Sequence, residues 1–245
     1  MKKKIFALAL ACAVSLSLLA GCGADNQPSG GNSQAPANSD AGTQASAPAE
    51  NVTIRVGATP APHVQILEQV VDVLAEQGIT LEIETINDYN TPNDGVEDGS
   101  LDANYFQHIT YMNGYNADNG THLVSVGEIH YEPLGLYAGK TDSIDALPDG
   151  AQIAVPNDTT NEARALLLLE QEGLLTLAEG AGINATVLDI VDNPKNLEFV
   201  ELEAAQIPTR LADVDMAVIN GNYAMGAGMS IADALAIESS DGTAA

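Results

Sequence analysis

From residue 52 the chain alternates short β-rich runs with stretches of helical period. VTIRVG (52–57) reads as a strand. HVQILEQVVDVLAEQG (63–78) reads as a helix in which Val64, Leu67, Val70, Val71 and Leu74 keep helical spacing and Gly78 is the stop. ITLEIETI (79–86) alternates apolar and polar positions as a half-buried strand does. A polar loop containing TPNDG follows, then a short strand near DANYFQ and a helix from His108 to about Asn119. Residues 122–139 are extended. After Lys140 the alternation restarts with a strand at 151–155, a helix at 160–172 and a β-like segment at 197–203. A helical piece, AAQIPTRLAD, is interrupted by Pro208, and 214–221 is a buried strand.

Two runs of β/α alternation joined by an extended segment predict an α/β protein of two lobes, each a mainly parallel sheet flanked by helices. The first lobe spans 51–140 and the second 141–235. Sheets of this kind bind ligands at the carboxyl ends of their strands, and paired lobes bind them in between.

The chain opens differently. Three lysines precede an apolar run too short for a stable membrane span, and the run ends in Leu19-Ala20-Gly21-Cys22. This pattern resembles the lipobox of bacterial lipoproteins, which implies that residues 1–21 are a signal peptide and that Cys22 is acylated after cleavage. The expected location is the extracytoplasmic face of a cell membrane, with several acyl chains as anchor. Through residue 50 no apolar residue exceeds alanine or proline in size, so 22–50 reads as a lipidated cysteine followed by a disordered tether.

Cysteine and charge narrow the chemistry. Cys12 lies in the leader and Cys22 is committed to lipid, so the folded part has no thiol for a disulfide, a metal or nucleophilic catalysis. Removing the leader takes three lysines and no acid, leaving 5 basic residues against 34 acidic ones, a formal charge of −29. Such a surface repels nucleic acid. His63, His108, His122 and His130 are too scattered for a metal signature, no G-x-S-x-G elbow occurs, and GAGINAT is not a dinucleotide loop. Neither a metal, a cofactor nor an enzymatic activity is expected.

The surviving cations are few, and Arg164 stands out in PNDTTNEARALLLL (156–169). Pro156 ends a strand and Thr159-x-x-Glu162 has the form of a capping box, predicting a helix start near Thr160. Asn161, Arg164 and Leu168 share one face of that helix. An arginine in the first turns sits at the wrong end of the helix dipole for a cation. Two partners answer this: an external carboxylate at the helix start, or one of the chain's own carboxylates. Spacing leaves both open.

Phe106 and His108 lie at strand spacing, and Tyr89 in DYNTPN opens a loop that can reach them. These side chains can pack in a core or wall an apolar or thioether group. Asn220 and Asn222 close a strand around a glycine, where asparagine turns the chain or accepts from an ammonium group.

The blocks VGATPAPHVQILE, DYNTPN, LDANYFQH, PNDTTNEARALLLL, NPKNLEFVELEAAQIP and DVDMAVINGNYA, in this order, resemble the methionine-binding lipoproteins of ABC importers, the MetQ or NlpA group. The likeness runs from about residue 52 to 238. It implies a two-lobed solute-binding protein that closes on methionine and delivers it to a membrane permease driven by an ATPase. By the same likeness Arg164 and Asn161 hold the substrate carboxylate, Asn220 with Asn222 holds the amino group, and Tyr89, Phe106 and His108 wall the thioether. Another amino acid or a short peptide is the alternative ligand. Two departures stand out: Tyr131 where the family has an aliphatic residue, and an end at DALAIESSDGTAA where family members continue through a strand and helix of the first lobe. Residues 236–245 are accordingly expected to begin the return to that lobe.

Overall fold

The computed structural model describes residues 51–239. The leader, Cys22, the tether and residues 240–245 lie outside the described residues. The first sheet is wholly parallel, with β1 (Val52–Ala58) between β2 (Ile79–Thr85) and β3 (Ala103–Tyr105). The helix predicted over 63–78 is two short pieces, α1 (Gln65–Glu68) and α2 (Val71–Ala75), parted where Val70 relaxes to φ −108° and ψ −3°. Neither piece has a fully buried side chain, and Val70 and Val73 are exposed. Its apolar stripe is therefore only half used. α3 (Thr91–Asp98) precedes β3, with Pro92 in the first turn where a missing N–H costs nothing. α4 (Ile109–Asn119) follows it.

Residues 120–133 carry neither helix nor strand and cross to a second sheet. This sheet contains β4 (Leu134–Ala138) and β5 (Gln152–Pro156), while β6 (Thr176–Leu177) and β7 (Ile190–Asp192) form a small pair of their own. With β8 (Glu198–Leu202), β9 (Met216–Asn220) and β10 (Ala236–Ile237) its order is β10-β4-β9-β5-β8. The β9-β5-β8 centre is parallel, and β4 and β10 join antiparallel at one edge, so this sheet is mixed.

Two boundaries move as a result. β4, read from the sequence as the end of the first lobe, belongs to the second, because Leu134 and Leu136 pack fully buried beside Met216 and Val218. Ala236 and Ile237, where the return to the first lobe is expected to begin, pair with Leu136 and Gly135 of β4 in the second sheet, and residues 240–245 of that expected return lie outside the described residues.

The core of the second lobe follows the two-residue period of its strands. Ile153, Val155, Met216 and Val218 face α5 (Thr159–Gln171), whereas Ala154, Ala217 and Ile219 face α6 (Ile207–Arg210) and α7 (Gly221–Gly226). α5 buries Ala163, Ala165, Leu166, Leu168 and Leu169, each leucine contributing about 2 kcal/mol of transfer free energy. Pro208 does not interrupt a helix but sits in the first turn of α6.

Candidate functional site

The carboxyl ends of β3 and β9, with residues from the segments that follow β1 and β5, line one cavity of about 780 Å³. All seven residues singled out from the sequence line it: Tyr89, Phe106, His108, Asn161, Arg164, Asn220 and Asn222. Local chemistry places each. α5 begins one residue earlier than predicted, at Thr159, and its cap is Asp158, whose carboxylate accepts the Asn161 amide at 3.1 Å. Glu162, expected to complete a capping box, instead accepts from the Val187 amide at 2.9 Å.

Asn161 is the hub of the site. Its Nδ2 donates to both oxygens of Asp158, at 2.8 and 3.0 Å. Its Oδ1 faces Arg164 Nη1 at 3.1 Å, Asn220 Nδ2 at 3.0 Å and His108 Nε2 at 3.4 Å. The resemblance assigns Asn161 to a substrate carboxylate. In this structure Asp158 holds its amide nitrogen, and its oxygen orients three neighbours.

Arg164 meets a carboxylate of the chain itself. Glu238, just beyond β10, accepts from Nε at 2.9 Å and from Nη2 at 2.6 Å, and Nη2 also donates to the Glu132 carbonyl at 3.0 Å. The pair is almost fully buried, at 4% and 7% side-chain exposure. Reading the two partners of Arg164 as alternatives is therefore corrected: the internal carboxylate holds the Nε–Nη2 edge. With Nη1 giving one bond to Asn161, one of the five guanidinium N–H groups is left on a side chain that lines the cavity.

His108 caps α4, its Nδ1 accepting from the Tyr111 amide at 3.1 Å, which places the ring proton on Nε2 toward Asn161. Burial, reinforced by the nearby Arg164 charge, holds its pKa down at about 3, so the ring is neutral. Burial raises the carboxyls of Asp158 and Glu132 above their ordinary range.

Tyr89 is the centre of an aromatic group. Its ring lies 5.5 Å from Phe106, 5.7 Å from Tyr111 and 4.9 Å from Tyr223. Its hydroxyl donates to Asn222 Oδ1 at 2.6 Å, and Tyr223 donates to the Asn87 carbonyl at 2.9 Å, tying the two lobes together. Asn220 and Asn222 are buried, and two of their atoms, Asn220 Oδ1 and Asn222 Nδ2, have no partner among the described residues. One is an acceptor and the other a donor.

Sequence reasoning missed Tyr111, Glu132 and Glu238. Tyr111 carried a signal, three residues past His108 on the same helix face. The two glutamates carried none, being two carboxylates among 34 acidic residues. His63 and His130, unremarkable in sequence, also reach the cavity wall, where His63 is neutral, its pKa lowered to about 3 by burial and by His130.

The profile of the NlpA lipoprotein family matches residues 54–244. A probable D-methionine-binding lipoprotein MetQ of Vibrio cholerae is 41% identical over 218 residues, covering 89% of this chain and 73% of that protein. A lipoprotein of Ruminococcus gnavus of known structure is 54% identical with a TM-score of 0.77, over 78% of this chain and 80% of that one. A nutrient-binding protein of Burkholderia cenocepacia, solved bound to methionine, is 45% identical with a TM-score of 0.73, over 78% and 81% of the two chains.

Proposed function

Because this chain belongs to the NlpA lipoprotein family, we propose that it binds free methionine between its lobes and delivers it to a membrane permease driven by an ATPase. One observation carries the reading: a buried acceptor and a buried donor without partners among the described residues, Asn220 Oδ1 and Asn222 Nδ2, line one cavity with a partly committed guanidinium. An amino acid zwitterion supplies the missing partners. Its ammonium donates to Asn220 Oδ1, and its carboxylate accepts from Asn222 Nδ2 and the remaining Arg164 Nη1–H. Asn161 positions Asn220 and Arg164 for these contacts. Tyr89, Phe106, His108 and Tyr111 wall the side chain, where sulfur–aromatic contacts favour a thioether.

In this reading no bond is made or broken. The lobes close on the ligand, and acylated Cys22 keeps the protein at the extracytoplasmic face of the membrane, within reach of the permease. Calorimetry of the ligand-stripped protein against L- and D-methionine tests it, with Asn222→Asp as the diagnostic variant. Aspartate keeps an acceptor for Tyr89 but removes the donor and adds a negative charge, so affinity should fall at least about tenfold. Unchanged affinity sinks the assignment. The cavity, at about 780 Å³, is large enough for a short peptide as well. Titration with methionyl dipeptides separates that reading from the first.

A further inference from the structure

Outside the zwitterion anchors, the fold gathers three metal-ligating side chains that the sequence scatters over 70 positions. His63 follows β1, while His130 and Glu132 lie on the irregular segment before β4. One ring nitrogen of His63, one of His130 and a Glu132 carboxylate oxygen all fall within 4.8 Å of one another, and the three residues line the cavity. We propose that His63, His130 and Glu132 form a binding site for a divalent transition-metal ion of the zinc type, with an open coordination position toward the cavity.

Three features of the cluster support this. First, each histidine is held by its other ring nitrogen: His63 Nδ1 lies 2.7 Å from Thr59 Oγ1, and His130 Nδ1 lies 2.6 Å from the Tyr105 hydroxyl. Such partners orient a metal-binding imidazole and leave Nε2 as the ligand. Second, the separations suit a shared ion. Donors on tetrahedral zinc stand about 3.3 Å apart. Here His130 Nε2 is 3.0 Å and His63 Nε2 3.9 Å from Glu132 Oε1, the latter too far for a direct hydrogen bond. An ion bridges that gap with small side-chain shifts. Third, the frame is stiff: His63 is buried and packs edge-on against Tyr105 at 4.7 Å, while the Glu132 main chain is fixed by Arg164.

Two imidazoles and a carboxylate suit zinc and its neighbours rather than calcium or magnesium, which prefer all-oxygen sets. The fourth position takes water or a donor atom of a molecule in the cavity. The inference stands apart from the amino acid reading, since methionine binding in zinc-free protein is measured separately.

The test uses the full chain in detergent, stripped with EDTA and titrated with Zn²⁺ by calorimetry, and with Co²⁺ by visible absorption. One equivalent of Zn²⁺ is expected to bind saturably, and Co²⁺ to give the intense band of a four-coordinate site. His130→Ala and Glu132→Gln should each weaken Zn²⁺ at least about tenfold, and Tyr105→Phe about tenfold through loss of the orienting hydroxyl. His122→Ala, at the exposed Glu97 pair, should change nothing. Because His130 is partly exposed on an irregular segment, its variant should keep the parent's thermal unfolding curve. Absence of saturable binding at one equivalent overturns the proposal, as does unchanged affinity in either His130→Ala or Glu132→Gln; with an altered unfolding curve for one variant, the other decides.

Discussion

Glu238 grips Arg164 across 74 positions of sequence, at 2.9 Å to Nε and 2.6 Å to Nη2. The same carboxylate accepts the Leu134 amide at 3.1 Å, so it also closes the edge where β10 meets β4. One buried acid thus holds the guanidinium and pins the end of the sheet. Glu238→Gln should destabilise the protein by about 3–5 kcal/mol, because a buried cation loses its counter-charge. Denaturant unfolding monitored by circular dichroism measures this. A loss within experimental error would mean that solvent already screens the pair.

Arg164→Ala then has two consequences. It strands Glu238 and removes a ligand donor, so lost methionine affinity in that variant alone is ambiguous. The double variant Arg164→Ala/Glu238→Gln leaves no stranded charge. It should recover most of the stability lost by Arg164→Ala while still binding methionine at least about tenfold more weakly than the parent. Thermal shift and calorimetry on the same samples separate the two effects.

His108 makes a pH-dependent contribution with a definite sign. Its folded pKa, about 3, lies below the ordinary 6.5, because burial and Arg164 oppose the charged ring. Above 6.5 the ring is neutral in both folded and unfolded chains, and its contribution is complete. As pH falls from 6.5 toward 3 the unfolded chain takes up a proton that the folded one refuses, so this stability is lost progressively. The His108 ring resonances should stay flat between about pH 5 and pH 8 in an NMR titration. A midpoint near 6.5 would contradict the buried, Asn161-facing ring.

Tyr89→Phe removes one hydroxyl and leaves the aromatic wall in place. The Asn222 carbonyl then loses its 2.6 Å donor from the opposite lobe. A cost of about 0.5–1.5 kcal/mol is expected in ligand affinity, with methionine dissociating faster in stopped-flow displacement. A variant equal to the parent would show that this contact does not hold the lobes together.

Leu166→Ala tests the core instead of the site. Leu166 is fully buried against the second sheet, and its truncation should cost about 2–5 kcal/mol by calorimetric unfolding. Methionine affinity should persist below the new midpoint, since Leu166 packs in the core cluster and does not line the cavity.

Much of the fold was legible in the chain because it rests on local periodicity. The strands at β1, β2, β5, β8 and β9 and the α5 leucines follow from alternation and helical spacing, which neighbouring residues carry by themselves. The long first helix misled for a related reason: periodicity reports what a stripe could bury, not whether anything covers it. The caps misled more finely. Thr159 and Asp158 both suit a cap, and the competition went to the carboxylate that could also hold Asn161.

The candidate site divides along the same line. Pattern and resemblance together identified Tyr89, Phe106, His108, Asn161, Arg164, Asn220 and Asn222, and all of them line one cavity. Their partners were out of reach. Which of 34 acidic residues meets Arg164, which amide atoms stay unpaired, and that His63 comes to face His130 and Glu132 depend on chain ends brought together from tens of residues apart. A residue's type and local period are written in its neighbourhood; who stands opposite it is decided by the packing of sheets and loops, and there only the tertiary structure could say that the arginine's first carboxylate is Glu238.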